Sequence, residues 1–509
     1  MAYDKEWIKA IYHDEVWIKI EASGDHLLQE ISDHFTYIMP NYEILRKVNK
    51  KFRFWDGRIK LFKKRPRLLP YGLIRKLKLF CETSDYELIF DDKISSNHNY
   101  DVTEEDIKKF VETLDLPFEL RDYQEAAIIK AIRNKRMCSI VPTSGGKSLI
   151  IYVITRWIQE KEVSKGEKIL IVVPNKGLLI QLKNNFEEYG YSKKIHCIQA
   201  GVPKDSEEDI YISTYQSLVD QPKEYFDKFK CLIWDEIQIL KCVQGETSVK
   251  TICEKMIHTG FRYGMTGTLH DETIHRTVVE AYFGSLYQTI TTNDLIQRGQ
   301  ASKFRINSII VKYPQDITQE LSRLDYQQQK EFQENIENPK QKLIIKIAEE
   351  LEHNTIILFD RIEHGTFLYN ELLNNRKKKT VFYIDGSISG EERNNILSQM
   401  EEDDNCIGIF SYGCASAGLN LKRLTNILFG ASYRSKIRVL QSIGRQLRIH
   451  NEKECAVLFD IVDDIKFASE HYGIRKSFYK REKFPLKETE IVLDSWVKGG
   501  EKVDFLTNL

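Results

Sequence analysis

The chain has 509 residues, 42% hydrophobic and 29% charged, and its 75 basic and 75 acidic side chains give a formal net charge of zero. That length and composition describe a globular protein of several domains whose cores need no disulfide, not a disordered or fibrous one. The nine cysteines are odd in number, scattered and without a CxxC pair. With no apolar h-region at the N-terminus and no apolar run near 18 residues, the expectation is a reducing, soluble, intracellular setting rather than a disulfide framework, a zinc ribbon or a membrane span.

In chain order, the first feature is a charge segregation that the zero total conceals. Between Arg46 and Lys78 there are fourteen basic side chains and one acid, Asp56. Such a window draws polyanions. Phe52, Phe54, Trp55, Phe62 and Tyr71 are interleaved with the cations, a mixture suited to phosphate contacts and base stacking. The plainer reading is a solvated basic face with the aromatics as core. Lys50, Lys51, Arg53, Arg58, Lys60, Lys63, Lys64 and Arg65 are the candidate nucleic-acid contacts. A helix is expected over about 24–39. Trp55-Asp56-Gly57 reads as a hairpin turn between short strands at Phe52–Phe54 and Arg58–Phe62.

Ser95-Ser96-Asn97-His98-Asn99 is polar and turn-rich, and reads as a linker or a domain boundary. Beyond it, short β-branched runs alternate with helical patterns. Strands are expected at Cys138–Val141, Ile169–Val173, Ile210–Ser213, Cys231–Trp234 and Phe261–Met265, with helices at Leu149–Glu160 and Lys176–Tyr189. The texture restarts with Ile356–Phe359, Val381–Ile384, Ile407–Phe410, Ile427–Phe429 and Ala456–Phe459. This is an α/β chain: two tandem domains with parallel sheets and helices on both faces, preceded by a small α+β basic domain. The expected boundaries are residues 1–95, 100–290 and 291–509, with a C-terminal extension in the last.

Val141-Pro142-Thr143-Ser144-Gly145-Gly146-Lys147-Ser148 follows a strand and opens a helix. Phosphates need close backbone N–H groups, hence Gly145 and Gly146 beside Thr143 and Ser144. Lys147 suits the outer phosphates of ATP and the Ser148 hydroxyl suits Mg²⁺. Val141 stands where the strict phosphate-loop pattern has its first glycine. Further on, the apolar run Cys231–Trp234 ends in Asp235-Glu236. Paired acids at the end of a buried strand are costly without a cation. Asp235 is therefore the expected Mg²⁺ holder with Ser148, and Glu236 the residue that polarises the attacking water.

These residues resemble helicase superfamily two in order and spacing over about residues 118–460. Leu120-Arg121-Asp122-Tyr123-Gln124 is similar to the Q-motif, which implies that Arg121 and Gln124 meet the nucleotide, Gln124 at the adenine edge. Pro142–Ser148 resembles motif I, Val173–Lys176 motif Ia and Ser213–Leu218 the next strand-contacting motif. Asp235–Gln238 resembles motif II and Thr266-Gly267-Thr268 motif III. Ile357-Leu358-Phe359 stands at motif IV, Gly418-Leu419-Asn420-Leu421 at the end of motif V, and Gln441 to Arg448 at motif VI. The resemblance implies a nucleotide contact at Gly418 and catalytic roles for Gln441, Arg445 and Arg448, the two arginines on the γ-phosphate. It implies two RecA-like domains.

Ile237-Gln238, Thr266-Gly267-Thr268 and Gln441 depart from the DEAD-box pattern toward DNA translocases. Over nearly the whole chain, including Phe52–Gly57, the resemblance is to the UvsW-type helicases of T-even-like bacteriophages. It implies ATP- and Mg²⁺-dependent unwinding and branch migration of branched double-stranded DNA (Holliday junctions, forks, D-loops) and of RNA–DNA hybrids in R-loops. It further implies work in phage recombination, replication and repair, in the host cytoplasm at the nucleoid, and activity as a monomer. Thr214, Gln216, Ser411 and Gly413 are the expected single-strand contacts, through backbone phosphates. The alternatives are a motor subunit of a restriction or nuclease system and a scaffold with a dead ATPase. No PD…(D/E)xK arrangement supports the first, and intact Lys147, Asp235, Glu236, Arg445 and Arg448 oppose the second.

Overall fold

The computed structural model describes residues 5–40, 42–48, 50–98, 102–199, 201–239, 248–269, 271–374, 379–416, 421–431 and 455–492. At the N-terminus lie Trp7–Tyr12 (β1), Trp17–Ala22 (β2), Thr36–Ile38 (β3), Arg58–Lys60 (β4), Leu68–Pro70 (β5) and Glu87–Phe90 (β6). The Asp14 carboxylate accepts the N–H groups of Val16 and Trp17 at 2.7 and 2.8 Å and so turns β1 into β2. The sheet order is β5-β2-β1-β6, with β6 parallel to β1; β3 and β4 form a separate antiparallel pair. Helices Asp25–His34 and Ile74–Thr83 bury Leu27, Ile31, Leu77 and Phe80 in the same core as Ile8, Ile18 and Ile20.

Three local expectations need correction. The helix expected to reach residue 39 stops at His34, and the chain re-enters as β3. Phe52–Phe54 is not a strand. Lys50–Phe52 is a turn of 3₁₀ helix, and Phe52 and Trp55 pack with ring centroids 5.4 Å apart. Residues three apart share a side of a 3₁₀ turn, whereas a strand would put these two rings on opposite faces. The partner of β4 is therefore β3. Finally, residues 95–98 are helical, within Asp92–His98, with Ile94 buried and its N–H on the Asp91 carboxylate at 2.8 Å. Asn99 lies outside the described residues.

The first parallel sheet comprises Arg136–Ile140 (β7), Lys168–Val173 (β8), His196–Ile198 (β9), Ile210–Thr214 (β10), Phe229–Asp235 (β11), Phe261–Thr266 (β12) and Ser285–Gln288 (β13), in the order β13-β7-β12-β11-β8-β10-β9. Along β8, Ile169, Ile171 and Val173 enter one apolar cluster and Leu170 and Val172 another. Both faces are buried, which is why the strand reads as one apolar run. The second parallel sheet comprises Lys303–Lys312 (β14), Asn354–Phe359 (β15), Thr380–Ile384 (β16), Cys406–Ser411 (β17), Leu424–Phe429 (β18), Cys455–Asp463 (β19) and Leu486–Val492 (β20), in the order β16-β17-β15-β18-β19-β14-β20. Both are RecA-like. The chain divides into two compact units, residues 1–141 with 146–289 and residues 290–509 with 142–145. Among the described residues no helix is long and apolar enough to cross a membrane.

Within the first unit, the N-terminal sheet and the parallel sheet share one core. Ile18, Ile20, Leu69 and Leu73 belong to the same buried cluster as Leu170, Leu232, Trp234 and Phe283. Polar contacts lock this seam. Arg136 on β7 pairs with the Glu15 carboxylate, donates to the Glu15 carbonyl at 2.7 Å and lies 4.5 Å over the Tyr71 ring. Glu15 in turn donates its N–H to the Ile257 carbonyl at 3.0 Å. Gly72 abuts helix Thr273–Phe283 so closely that a Cβ there would lie 2.0 Å from the Glu280 carbonyl oxygen. Arg75 and Lys76, counted above in the basic window, are seam residues: Arg75 donates to Ser285 Oγ at 3.1 Å, and Lys76 pairs with Glu280 at 3.0 Å.

Candidate nucleotide and nucleic-acid sites

Strand β7 delivers the chain into residues 141–146, and helix Lys147–Lys161 starts directly after. Ser144 and Gly146 both have positive φ, 69° and 79°. Gly146 is needed on two counts: the left-handed backbone favours it, and a Cβ would lie 2.0 Å from Gln124 Nε2. Gln124 is buried. Its carboxamide oxygen accepts the Arg121 N–H at 2.9 Å, and its nitrogen faces Gly146. The Q-like segment is thus seated against the start of the phosphate-loop helix. Arg121 donates to the Tyr123 hydroxyl at 2.9 Å.

Asp235 ends β11, and Glu236 follows with φ 55°. A non-glycine residue held in that region at a strand end is stored strain of the kind found at reacting sites. The Lys147 ammonium lies 2.8 Å from Asp235 Oδ1 and pairs with Glu236 as well. Burial works to lower the pKa of Lys147, yet the two carboxylates outweigh it and hold the lysine above its ordinary value. Burial, helped by Glu236 and opposed by Lys147, pushes Asp235 above the usual carboxylate range. One cation thus offsets part of the charge of a pair of acids that are otherwise expensive to bury.

Two connections had no reading in the sequence. Gln238 donates to Glu236 Oε2 at 2.6 Å, and the Thr266 hydroxyl lies 2.5 Å from Gln238 Oε1. Thr266 also accepts the Thr268 N–H at 3.1 Å. The segment resembling motif II is so joined to the one resembling motif III through Gln238, 28 residues before Thr266. The second is Ser148, whose hydroxyl sits 2.9 Å from the Tyr189 hydroxyl. The motif spellings contain Gln238 and Thr266 without showing their contact; nothing at Tyr189 signals its role.

A hard divalent cation prefers oxygen donors and keeps waters and phosphate oxygens around it. The Ser148 hydroxyl and Asp235 carboxylate are such donors, so their chemistry fits Mg²⁺; in this structure Asp235 pairs with Lys147 and the Ser148 hydroxyl with that of Tyr189. Among the described residues no group of three or more His, Cys, Asp or Glu could form a metal cage without added ligands.

The candidate nucleic-acid residues separate into two groups. Lys50, Arg53, Arg58, Lys60, Lys63, Lys64 and Arg65 are exposed on the N-terminal domain. Lys63 lies 3.8 Å over the Trp17 ring and Lys64 pairs with Gln29. Thr214 ends β10, with its hydroxyl 3.1 Å from Ser217 Oγ, and Gln216 reaches the Pro174 carbonyl at 3.5 Å, which brings two of the expected strand-contacting motifs together. In the second unit, Ser411 ends β17 and accepts the Cys414 N–H at 3.3 Å. Gly418, Gln441, Arg445, Arg448 and the side chain of Lys51 lie outside the described residues.

Family models match three stretches of the chain. Residues 7–91 match the N-terminal domain of DNA helicase UvsW, 117–271 the res subunit of type III restriction enzymes, and 339–450 the helicase conserved C-terminal domain. The chain is 29% identical over 487 residues to the ATP-dependent DNA helicase uvsW of Enterobacteria phage T4, covering 92% of this chain and 93% of that protein. The crystal structure of T4 UvsW aligns at 28% identity over 96% of this chain and 100% of that one, with a TM-score of 0.49. A candidate HsdR subunit fragment of a type I restriction enzyme from Vibrio vulnificus, 19% identical, covers 77% of this chain and 73% of its own with a TM-score of 0.57, a likeness of fold.

Proposed function

We propose that the chain, similar along its length to UvsW and to helicase domains, is a UvsW-type, ATP-dependent DNA helicase that remodels branched DNA and R-loops by branch migration in phage recombination, replication and repair. The observation that supports this best is the pairing, in one unit, of a nucleotide cluster (Lys147, Asp235, Glu236) with an exposed basic domain that is fixed to it. In this reading Lys147 leaves its carboxylates for the outer phosphates of ATP. Its charge is secured by the carboxylates before the move and by the phosphates after it, so no proton has to move. Glu236, oriented by Gln238, then accepts the proton of the attacking water. Asp235 and Ser148 would hold Mg²⁺, which would supply charge compensation to the transferred phosphoryl group. By motif alone, Arg445 and Arg448 add positive charge to that group in the transition state, Gln441 helps to place it, and Gly418 approaches the nucleotide.

The basic domain would grip the duplex arms through phosphates, and Thr214 and Gln216 would follow the single strand. The working unit is a monomer acting inside the infected host cell, with the domains at residues 1–95, 100–290 and 291–509. A second reading, the motor of a restriction or nuclease system, draws on the match of residues 117–271 to a restriction res subunit. One experiment separates them. ATP turnover, strand separation and strand cleavage are measured on linear, forked, four-way and R-loop substrates. Turnover and separation highest on the branched substrates, without cleavage, support remodelling. Equal activity on linear duplex, or ATP-dependent cleavage, removes it.

A further inference from the structure

Phe54 is the most exposed large apolar side chain among the described residues, at 90%. Its neighbours behave in the opposite way. Phe52 and Trp55 are buried against each other, so of three closely spaced aromatic rings two turn in and the middle one turns out. The tip is braced on both sides of Phe54. The Trp55 N–H bonds the Phe52 carbonyl at 3.0 Å, the Trp55 indole N–H bonds the Arg58 carbonyl at 3.1 Å, and Arg46 Nε holds the Arg53 carbonyl at 3.1 Å. Gly57, at φ 76°, closes the loop, and its carbonyl accepts the Met39 N–H at 2.8 Å. The outward ring is therefore a fixed feature of the loop.

Its surroundings specify what it meets. Arg46, Lys50, Arg53, Arg58 and Lys60 are exposed around it in sequence, with the Arg53 guanidinium 5.6 Å from the Phe54 ring centroid. The one acid of the basic window, Asp56, is exposed, but its carboxylate is engaged by its own loop, accepting the Arg58 N–H at 3.0 Å with the Arg58 guanidinium 3.9 Å away. A partner surface of protein would have to bring acids to this tip and an apolar pocket for one ring. A nucleic acid brings both requirements in each nucleotide, a phosphate for the cations and a planar base for the ring. Wedging a ring between the stacked bases of an intact duplex costs unstacking energy, so a base that has already lost its neighbour is the more favourable partner for a single protruding ring. We infer that Phe54 is a stacking pin that holds the unpaired base at the point where duplex arms part. This rests on the reading of the basic domain as the duplex grip, and it names a contact beyond phosphate neutralisation.

The test uses the full chain and four-way junctions carrying 2-aminopurine at each branch-point nucleotide in turn, at saturating protein and without ATP. Wild type should change the fluorescence of the probe at one branch position. Phe54→Ala and Phe54→Leu should abolish that change, Phe54→Trp should restore it, and thermal unfolding should be the same for all, because the ring is exposed. Junction affinity should fall roughly ten-fold in the first two, with the salt slope unaltered, since stacking releases no counterions. A fluorescence change retained in Phe54→Ala overturns the pin. A parallel variant with Lys63, Lys64 and Arg65 all changed to Glu reports on the duplex grip. If that variant keeps wild-type affinity and salt slope, the grip reading fails, while the Phe54 result at saturation still decides the pin.

Discussion

Lys147 has to be a cation for two reasons that its surroundings link: it offsets the charge of Asp235 and Glu236, and in the proposed mechanism it is the group offered to the outer phosphates. Lys147→Ala is therefore expected to do more than stop turnover. It leaves two partly buried carboxylates without their partner, a change that costs on the order of 3 kcal/mol of stability at neutral pH. The sign of the pH dependence follows from Asp235, whose carboxyl is held above its usual range by burial and by Glu236. Its charge is a liability above that raised pKa and absent below it. The thermal deficit of the variant should thus be full at pH 7.5 and narrow as the pH falls toward 5, which melting curves at several pH values would check. Normal turnover in this variant would overturn the nucleotide-site assignment. Glu236→Gln keeps the size of the side chain and loses the proposed base. It should bind ATP near normally while hydrolysis falls by about 10²–10⁴-fold, read by nucleotide-binding fluorescence beside single-turnover hydrolysis.

At the scale of elements, the contacts that matter are the ones that join strand ends. Gln238 stands between Glu236 at the end of β11 and Thr266 at the end of β12. Thr266→Val removes the hydroxyl and leaves the buried Gln238 oxygen and the Thr268 N–H without it, at about 1–3 kcal/mol. The effects of Thr266→Val and Gln238→Ala should then be non-additive by at least about 0.5 kcal/mol in a double-mutant cycle of unfolding, and ATP turnover should fall with strand separation falling further. Additive values would show that the two side chains act alone.

The same elements show what sequence can reveal. β8, β10 and β11 were legible because both their faces are buried and their residues are almost all apolar. β14 was not, because buried Asn307 and Ser308 interrupt its run, nor was β20, whose Lys487, Glu488 and Glu490 give it the look of a solvated segment. That Lys147, Asp235 and Glu236 come together was legible from motif order. The Ser148–Tyr189 hydroxyl pair was not, because 41 residues separate partners that only the packing of two helices brings together.

At the scale of the molecule, the seam between the N-terminal sheet and the first parallel sheet changes what a truncation would report. Removing residues 1–92 would strip the cover from a core that includes Leu232, Trp234 and Phe283, and would leave Arg136 without Glu15. We expect that fragment to aggregate, as judged by light scattering, even though it retains every nucleotide motif. Charge reversal at Lys63, Lys64 and Arg65 is the cleaner probe of the basic face. These side chains are exposed, so folding should be unchanged, while the log–log salt dependence of junction binding should lose a slope of roughly 3, at about 0.9 per phosphate contact. The seam also has a consequence for how the chain is made. β1 and β2 leave the ribosome well before part of their apolar cover, helix Thr273–Phe283, which is translated about 190 residues after residue 92. At about 5–20 residues per second the nascent N-terminal sheet waits on the order of 10–40 s with that surface unfilled. Nascent chains arrested before residue 273 should hold residues 1–92 in a protease-sensitive state and bind trigger-type holdases. Chains arrested well beyond residue 290 should protect the same residues.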